Sequence, residues 1–176
     1  MSSLNISMMV VLGIGAIFGA LACSSAKSGE GSVASDGTVR DPGELLPVGV
    51  DAPDFEVKDN RGNTISMADY KGKKNVVLIF YPGNETPGCT KQLCQARDDF
   101  ERYEDEDVVV FGVNPAGDSS HDKFSEKYNF QFGLLVDTEG EVTRKYGCRG
   151  LGGFVKRTVY VIDKNGKIVF AERGMP

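Results

Sequence analysis

Residues 75–94 read NVVLIFYPGNETPGCTKQLC. The run Asn75–Pro82 is β-branched and aromatic with no polar alternation, the pattern of a strand buried on both faces. Thr86 is a natural helix N-cap, and Pro87 suits the first helical position, where a missing N–H leaves no bond unmade. Beyond the turn, Leu93, Ala96, Phe100 and Tyr103 recur at the 3.6-residue period and predict a helix from Cys89 to about Glu104. A buried strand that turns sharply into an amphipathic helix is the building unit of a parallel sheet. It also places the turn at the carboxyl edge of that sheet, where α/β proteins assemble their sites.

The sequence on either side extends the pattern. Upstream, PDFEVKDNRGNTISMADYKG reads as two short strands around an Asn-Arg-Gly turn, then a helical turn. Downstream, DVVVFGVN (107–114) is a second buried strand and SSHDKFSEKYN (119–129) a helix with a Ser or Asp cap. FGLLVD is a third strand and EGEVTRKYG a short helix closed by Gly147. TVYVIDKNGKIVF is a hairpin about Asn165-Gly166. The strand–helix–strand units require parallel crossovers and the closing hairpin adds antiparallel strands. The expectation is an α/β, thioredoxin-like fold: a mixed central sheet with helices on both faces and an N-terminal hairpin extension. Residues 45–176 form this domain. Its core of ~150 residues at most would bury roughly 70% of its unfolded surface.

Composition narrows the partners. The net charge of -5, without a long basic run, argues against nucleic acid. Four cysteines, Cys23, Cys89, Cys94 and Cys148, are too few and too irregular for a disulfide scaffold and fit chemistry better than stapling. No charged side chain precedes Lys27, and MMVVLGIGAIFGALA (8–22) is apolar and ends in small residues, as in a secretory h-region. Residues 1–22 are therefore expected to be a signal peptide or membrane anchor. The sequence ALAC resembles a bacterial lipoprotein signal, with cleavage before Cys23 and lipidation of its sulfur. Residues 23–44, rich in Ser and Gly, read as a flexible tether.

Capping explains Thr86 and Pro87 but gives no reason for Gly88 or Cys89. Gly88, at the second helical position, lacks the Cβ that would block approach to the first-turn amides. Cys89, at the third, lies among unpaired N–H groups and the positive end of the helix dipole, which favour thiolate over thiol. A reactive thiol accounts for both residues.

Pro82, Thr86 and Cys89 reproduce P-x-x-x-T-x-x-C, and the longer YPxxxTPGCTxxxC resembles the bacterioferritin co-migratory protein or peroxiredoxin Q subgroup of the AhpC/TSA-like peroxiredoxins. The similarity runs from about Leu46 to Phe170 and includes SSHDKFSEKYNF and the RTVYVID strand. It implies that Cys89 is the peroxidatic cysteine and Cys94 the resolving one, paired in a redox-active disulfide. It implies too that Thr86 hydrogen-bonds thiolate and peroxide, that Pro82 shields the thiolate, and that Arg157 completes the site. The implied partners are a peroxide substrate and a thioredoxin-like reductant, with no metal or organic cofactor and a monomeric protein. Arg157 has its own physical case, since a fixed cation beside sulfur would hold the peroxide oxygens in line and stabilise charge as O–O breaks. Lys156 offers the same charge one residue earlier. His121, the only histidine, is expected to be a solvated first-turn residue of its helix, and Cys148 to be incidental.

Two other functions use the same residues. A thiol–disulfide oxidoreductase of the thioredoxin type would normally carry Cys-x-x-Cys and a neighbouring Trp, and this chain has neither. A copper chaperone would need Cys89, Cys94 and His121 to converge as soft ligands. Membrane attachment is open to direct test. Full-length protein made in a bacterial host is expected to partition into detergent and to lose that behaviour on Cys23→Ala, because lipoprotein acylation supplies more than one chain. Soluble, unprocessed wild-type protein in the cytoplasm would refute the anchor.

Overall fold

The computed structural model describes residues 43–174; the expected signal or anchor segment, Cys23 and the tether as far as Pro42 lie outside them. An antiparallel hairpin of β1 (Glu56–Lys58) and β2 (Thr64–Ser66) stands apart from a five-stranded sheet. That sheet comprises β3 (Asn75–Phe80), β4 (Val108–Asn114), β5 (Gly133–Val136), β6 (Thr158–Ile162) and β7 (Ile168–Arg173), in the spatial order β5-β4-β3-β6-β7. Strands β3, β4 and β5 are parallel, whereas β6 runs antiparallel to β3, and β7 to β6. The mixed sheet follows from the connections. Helices α1 (Pro87–Asp98) and α2 (Phe100–Asp105) together cross from β3 to β4, and α3 (Asp118–Tyr128) crosses from β4 to β5. The Asn165-Gly166 turn reverses the chain between β6 and β7, with Gly166 at φ 79°.

Every residue of β3 is buried, as its unbroken apolar run requires. Val76, Leu78 and Phe80 face one core, shared with Val142 of α4 (Glu141–Lys145), Tyr146 and the hairpin residues Phe55 and Ile65. Val77, Ile79 and Tyr81 face the other, shared with Leu93 and Ala96 of α1, Tyr103 of α2 and Phe124 of α3. Burial of each such side chain is worth about 1.5–3 kcal/mol, so this central strand ties both layers together. Gly112 in β4 makes the second layer possible, because a Cβ there would lie 2.7 Å from Leu134 Cδ2 and 3.1 Å from the Tyr81 ring.

The helix expected from Cys89 to Glu104 is two helices, broken at Asp99 (φ -91°, ψ 6°). Asp98 and Asp99 stand where the dipole is negative and where Asp is a poor helix former, so the chain turns and restarts at Phe100. Gly43, the first described residue, is tied to the body. Its carbonyl accepts from Lys156 Nζ at 3.1 Å and from Arg173 Nη1 at 2.6 Å.

Candidate active site

Strand β3 ends beside Pro82, and the chain turns through Gly83–Glu85 into α1, whose first turn carries Cys89. The thiol is fully buried beneath the helix, on the side that carries Leu93 and Ala96. Thr86 takes the N-cap position with extended backbone (φ -77°, ψ 139°), but it does not cap with its side chain. Its exposed hydroxyl instead donates to the Gly83 carbonyl at 3.4 Å, so the first-turn amides are not occupied by it. This corrects the capping role expected from the sequence. Pro82 is half-buried at the strand end.

Strand register brings the cation. The pairing of Phe80 with Thr158 sets Arg157 beside the end of β3 and therefore beside the start of α1. Arg157 Nη2 donates to Cys89 Sγ at 3.1 Å. Its Nη1 donates a short hydrogen bond to Gln92 Oε1, and its own carbonyl accepts from the Gly174 N–H at 3.0 Å. Lys156 points elsewhere, to Gly43 at the start of the domain. Gln92 was not singled out from the sequence. The available signal was its spacing: a polar residue three positions after Cys89 on an otherwise apolar stripe, where a buried amide needs a partner. A planar guanidinium held by an amide and by sulfur has little freedom to rotate, and it offers positive charge to an anionic sulfur.

A family model described as the AhpC/TSA family matches residues 48–171. The chain belongs to that family. Peroxiredoxin Bcp of Bacillus subtilis is 38% identical over 133 residues, which span 70% of this chain and 83% of that protein. Chloroplastic peroxiredoxin Q of Triticum aestivum is 41% identical over 120 residues, 67% of this chain; the chain spans 55% of that relative's length. Among solved structures, peroxidoxin BcpB from Mycobacterium tuberculosis aligns with TM-score 0.67 and 34% identity over 72% of this chain and 84% of that one. A PrxQ of Xylella fastidiosa aligns with TM-score 0.70 over 76% of this chain and 91% of its own, at 22% identity, a likeness of fold. The family membership and the thioredoxin-like fold expected from the sequence are both borne out.

The remaining thiols of this AhpC/TSA protein differ from Cys89 and from each other. Cys94 is half-buried on α1, on the flank near Arg97. Cys148 is fully buried in the opposite core layer, across the sheet from Cys89. Burial pushes its thiol up to about 12, and it donates to the Tyr146 carbonyl at 3.3 Å. The sheet between the two layers separates Cys148 from Cys89. Among the described residues, no group of three or more His, Cys, Asp or Glu side chains is placed to hold a metal ion.

His121 overturns its expected exposure, for it is fully buried. The helix begins at Asp118, so His121 lies a full turn inside it on the face of Phe124 and Ser125, and that face meets the sheet. Its Nδ1 lies 3.3 Å from Asn84 Nδ2 and 3.5 Å from the Tyr81 hydroxyl. Burial lowers its proton affinity below the ordinary imidazole value of 6.5, against the opposing pull of the Asn114 and Leu135 carbonyls and of Asp118 and Asp122. The unfolded chain therefore takes up this proton at a higher pH than the folded one. The stability held by neutral His121 is complete above pH 6.5 and declines as pH falls below it. Paired carboxylates such as Asp51, Asp107 and Glu141 are held below their ordinary values by hydrogen bonds from Lys167, Lys164 and Lys145, and so titrate at lower pH. Urea midpoints measured from neutral pH to about pH 5 are expected to fall for the wild type and to stay nearly flat for His121→Asn. Parallel curves would show that His121 is not the group that titrates.

Proposed function

We propose that this chain is a thiol-dependent peroxidase in which Cys89 attacks hydrogen peroxide or an organic hydroperoxide. The observation that carries the reading is the Arg157 guanidinium fixed on the Cys89 sulfur at the mouth of a helix N-terminus. The names of the relatives, peroxiredoxin Bcp and peroxiredoxin Q, support it.

The sulfur anion attacks the terminal peroxide oxygen, the S–O bond forms as O–O breaks, and the departing oxygen takes a proton to leave as water or alcohol. Cys89 becomes a sulfenic acid. Arg157 and the first-turn amides, which the Thr86 side chain leaves uncapped, are the donors available to the charge that builds on the departing oxygen. The thiol of Cys94 then displaces hydroxide from the sulfenic sulfur, releasing water and leaving a Cys89–Cys94 disulfide. An external dithiol of the thioredoxin type reduces that bridge by exchange and is itself oxidised to a disulfide.

The second step demands motion. In an intact α-helix, residues five apart have Cα atoms about 8.7 Å from each other, whereas a disulfide needs roughly 4.4–6.8 Å. Helix α1 must therefore open between Cys89 and Cys94. Its first turns leave bonds unmade: Thr86 supplies no side-chain cap, and the buried Thr90 Oγ1 and Gln92 Nε2 have no hydrogen-bond partner among the described residues. Each such orphan costs about 1–3 kcal/mol in the closed state and is relieved on exposure to water.

Cys89→Ser is expected to abolish peroxide turnover, because a serine hydroxyl is not ionised near neutral pH. Cys94→Ser is expected to complete one turnover and then pass to sulfinic acid, seen by mass spectrometry of the Cys89 peptide. Substantial turnover by Cys89→Ser would refute the mechanism. Sustained dithiol-dependent cycling by Cys94→Ser would remove Cys94 from the resolving role.

A further inference from the structure

The loop that delivers Thr86 and Cys89 is held from below by one amide. Asn84 uses both ends of its side chain: Oδ1 accepts from the Tyr81 hydroxyl at 2.9 Å and from Asn114 Nδ2 at 3.0 Å, while Nδ2 donates to Ser120 Oγ at 2.8 Å and faces His121 Nδ1 at 3.3 Å. The directions are forced in sequence. The Ala116 backbone N–H donates to Asn114 Oδ1 at 2.7 Å, so Asn114 must present its Nδ2 to Asn84. Asn84 must then turn its oxygen toward Asn114 and its nitrogen toward α3. An amide nitrogen only donates, which assigns His121 Nδ1 as an acceptor and the imidazole proton to Nε2, a buried atom with no hydrogen-bond partner among the described residues. Tyr81, Asn114 and His121 are fully buried, whereas Asn84 is half-buried and its bond to Ser120 is exposed, so only the inner side of the network is shielded from competing water.

Strands β3 and β4 and helix α3 thus converge on a single residue two positions before Thr86. The next residue, Glu85, adopts φ 61°, uncommon for a residue with a Cβ, and its carboxylate pairs with Lys127 Nζ at 2.6 Å. That second contact is exposed and contributes little by itself. The four contacts of Asn84, the part-buried one to His121 Nδ1 among them, are the stronger constraint on where the turn ends and where Thr86 and the first turn of α1 begin.

We propose that His121 is a positioning residue for peroxide attack: through Asn84, its Nδ1 lone pair fixes the turn that sets Thr86 and the first-turn amides around the peroxide. This rests on the peroxidase reading. The hydrogen-bond partners of His121 Nδ1 are Asn84 and Tyr81, not the Cys89 sulfur, so it acts through the turn. The sulfur is held separately, by Arg157 from the edge of β6. Loosening the turn therefore leaves the sulfur and its cation in place but spoils the alignment of the incoming oxygen, and a 1 Å misplacement can cost on the order of 10²-fold in rate. Alkylation by iodoacetamide, which needs the sulfur anion but none of that alignment, provides the contrast.

The test compares full-length wild type, His121→Leu, His121→Asn and Asn84→Ala, following peroxide oxidation and iodoacetamide alkylation of the Cys89 peptide at neutral pH. His121→Leu, which fills the space but removes the acceptor, is expected to oxidise about ten- to a hundredfold more slowly and to alkylate at the wild-type rate. His121→Asn, whose Oδ1 takes the place of Nδ1, is expected to recover most of the oxidation rate. Asn84→Ala, which removes all four contacts, should lose at least as much as His121→Leu, and the double variant should lose no more than Asn84→Ala alone. If His121→Leu fails to fold, Asn84→Ala carries the test with the same split between the two rates. Equal loss of oxidation and alkylation, wild-type oxidation in the Leu variant, or multiplying losses in the double variant would each overturn the proposal. A wild-type Cys89 inert to peroxide would instead defeat the peroxidase reading, and this role with it.

Discussion

The contact between Arg157 and Cys89 is the constraint on which the site is built, and little of it is local. It joins a residue at the start of β6 to one in the first turn of α1, 68 positions apart, at 3.1 Å. Two features bring the pair together. The antiparallel register of β3 and β6 sets Thr158 opposite Phe80, and the turn after β3 returns the helix across the strand end. A register slip of one residue would turn Arg157 to the other face of the sheet. The core layers on both faces of β3 oppose that slip, because it would exchange the residues packed in the two layers, driving Val77, Ile79 and Val159 into the space that the other layer's side chains fill. Packing of apolar strands thus fixes an electrostatic contact that the charges alone could not hold.

Helix α3 adds a second level of support. It reaches the loop before Thr86 through Ser120, His121 and Lys127, and it reaches the far end of α1 through the Tyr128 carbonyl, which accepts from Arg97 Nη1 at 2.8 Å. The stretch from Thr86 to Ala96, including both Cys89 and Cys94, is consequently staked at its two ends by α3 and tied between them by Arg157, while its first turn has no side-chain cap. Such a segment can open locally while the sheet stays folded, as the proposed Cys89–Cys94 disulfide would require. The same design separates the rigid part of the site, Arg157 on the sheet, from the part that must move.

Much of this was legible in the chain because it rests on short-range patterns. The uninterrupted run of Val76–Phe80 announced a central strand, Asn165-Gly166 a hairpin, and Thr86-Pro87 a helix start. The family resemblance also led to Arg157, with Lys156 a rival on the residues alone; the structure sets Arg157 beside Cys89 and turns Lys156 to Gly43. What stayed hidden depends on contacts between distant elements. His121 read as a surface residue because its nearest neighbours in sequence, Ser119, Ser120 and Asp122, are polar; only the packing of α3 on the sheet shows that its face is turned inward. Thr86 has the composition of a capping residue, yet its hydroxyl turns back to Gly83. Gln92 was invisible for the opposite reason, since a single polar residue on an apolar stripe acquires meaning only when Arg157 arrives from another strand.

The account turns on Arg157 acting on the Cys89 sulfur, and Arg157→Met tests it most directly, since it keeps an unbranched apolar stem and removes the charge and its donors. Stopped-flow oxidation by hydrogen peroxide and iodoacetamide alkylation, both at neutral pH, should be measured side by side on the folded variant. Oxidation is predicted to slow by about 10² or more and alkylation to slow as well, because sulfur loses the cation that stabilises its anion; wild-type rates in both reactions would contradict the account.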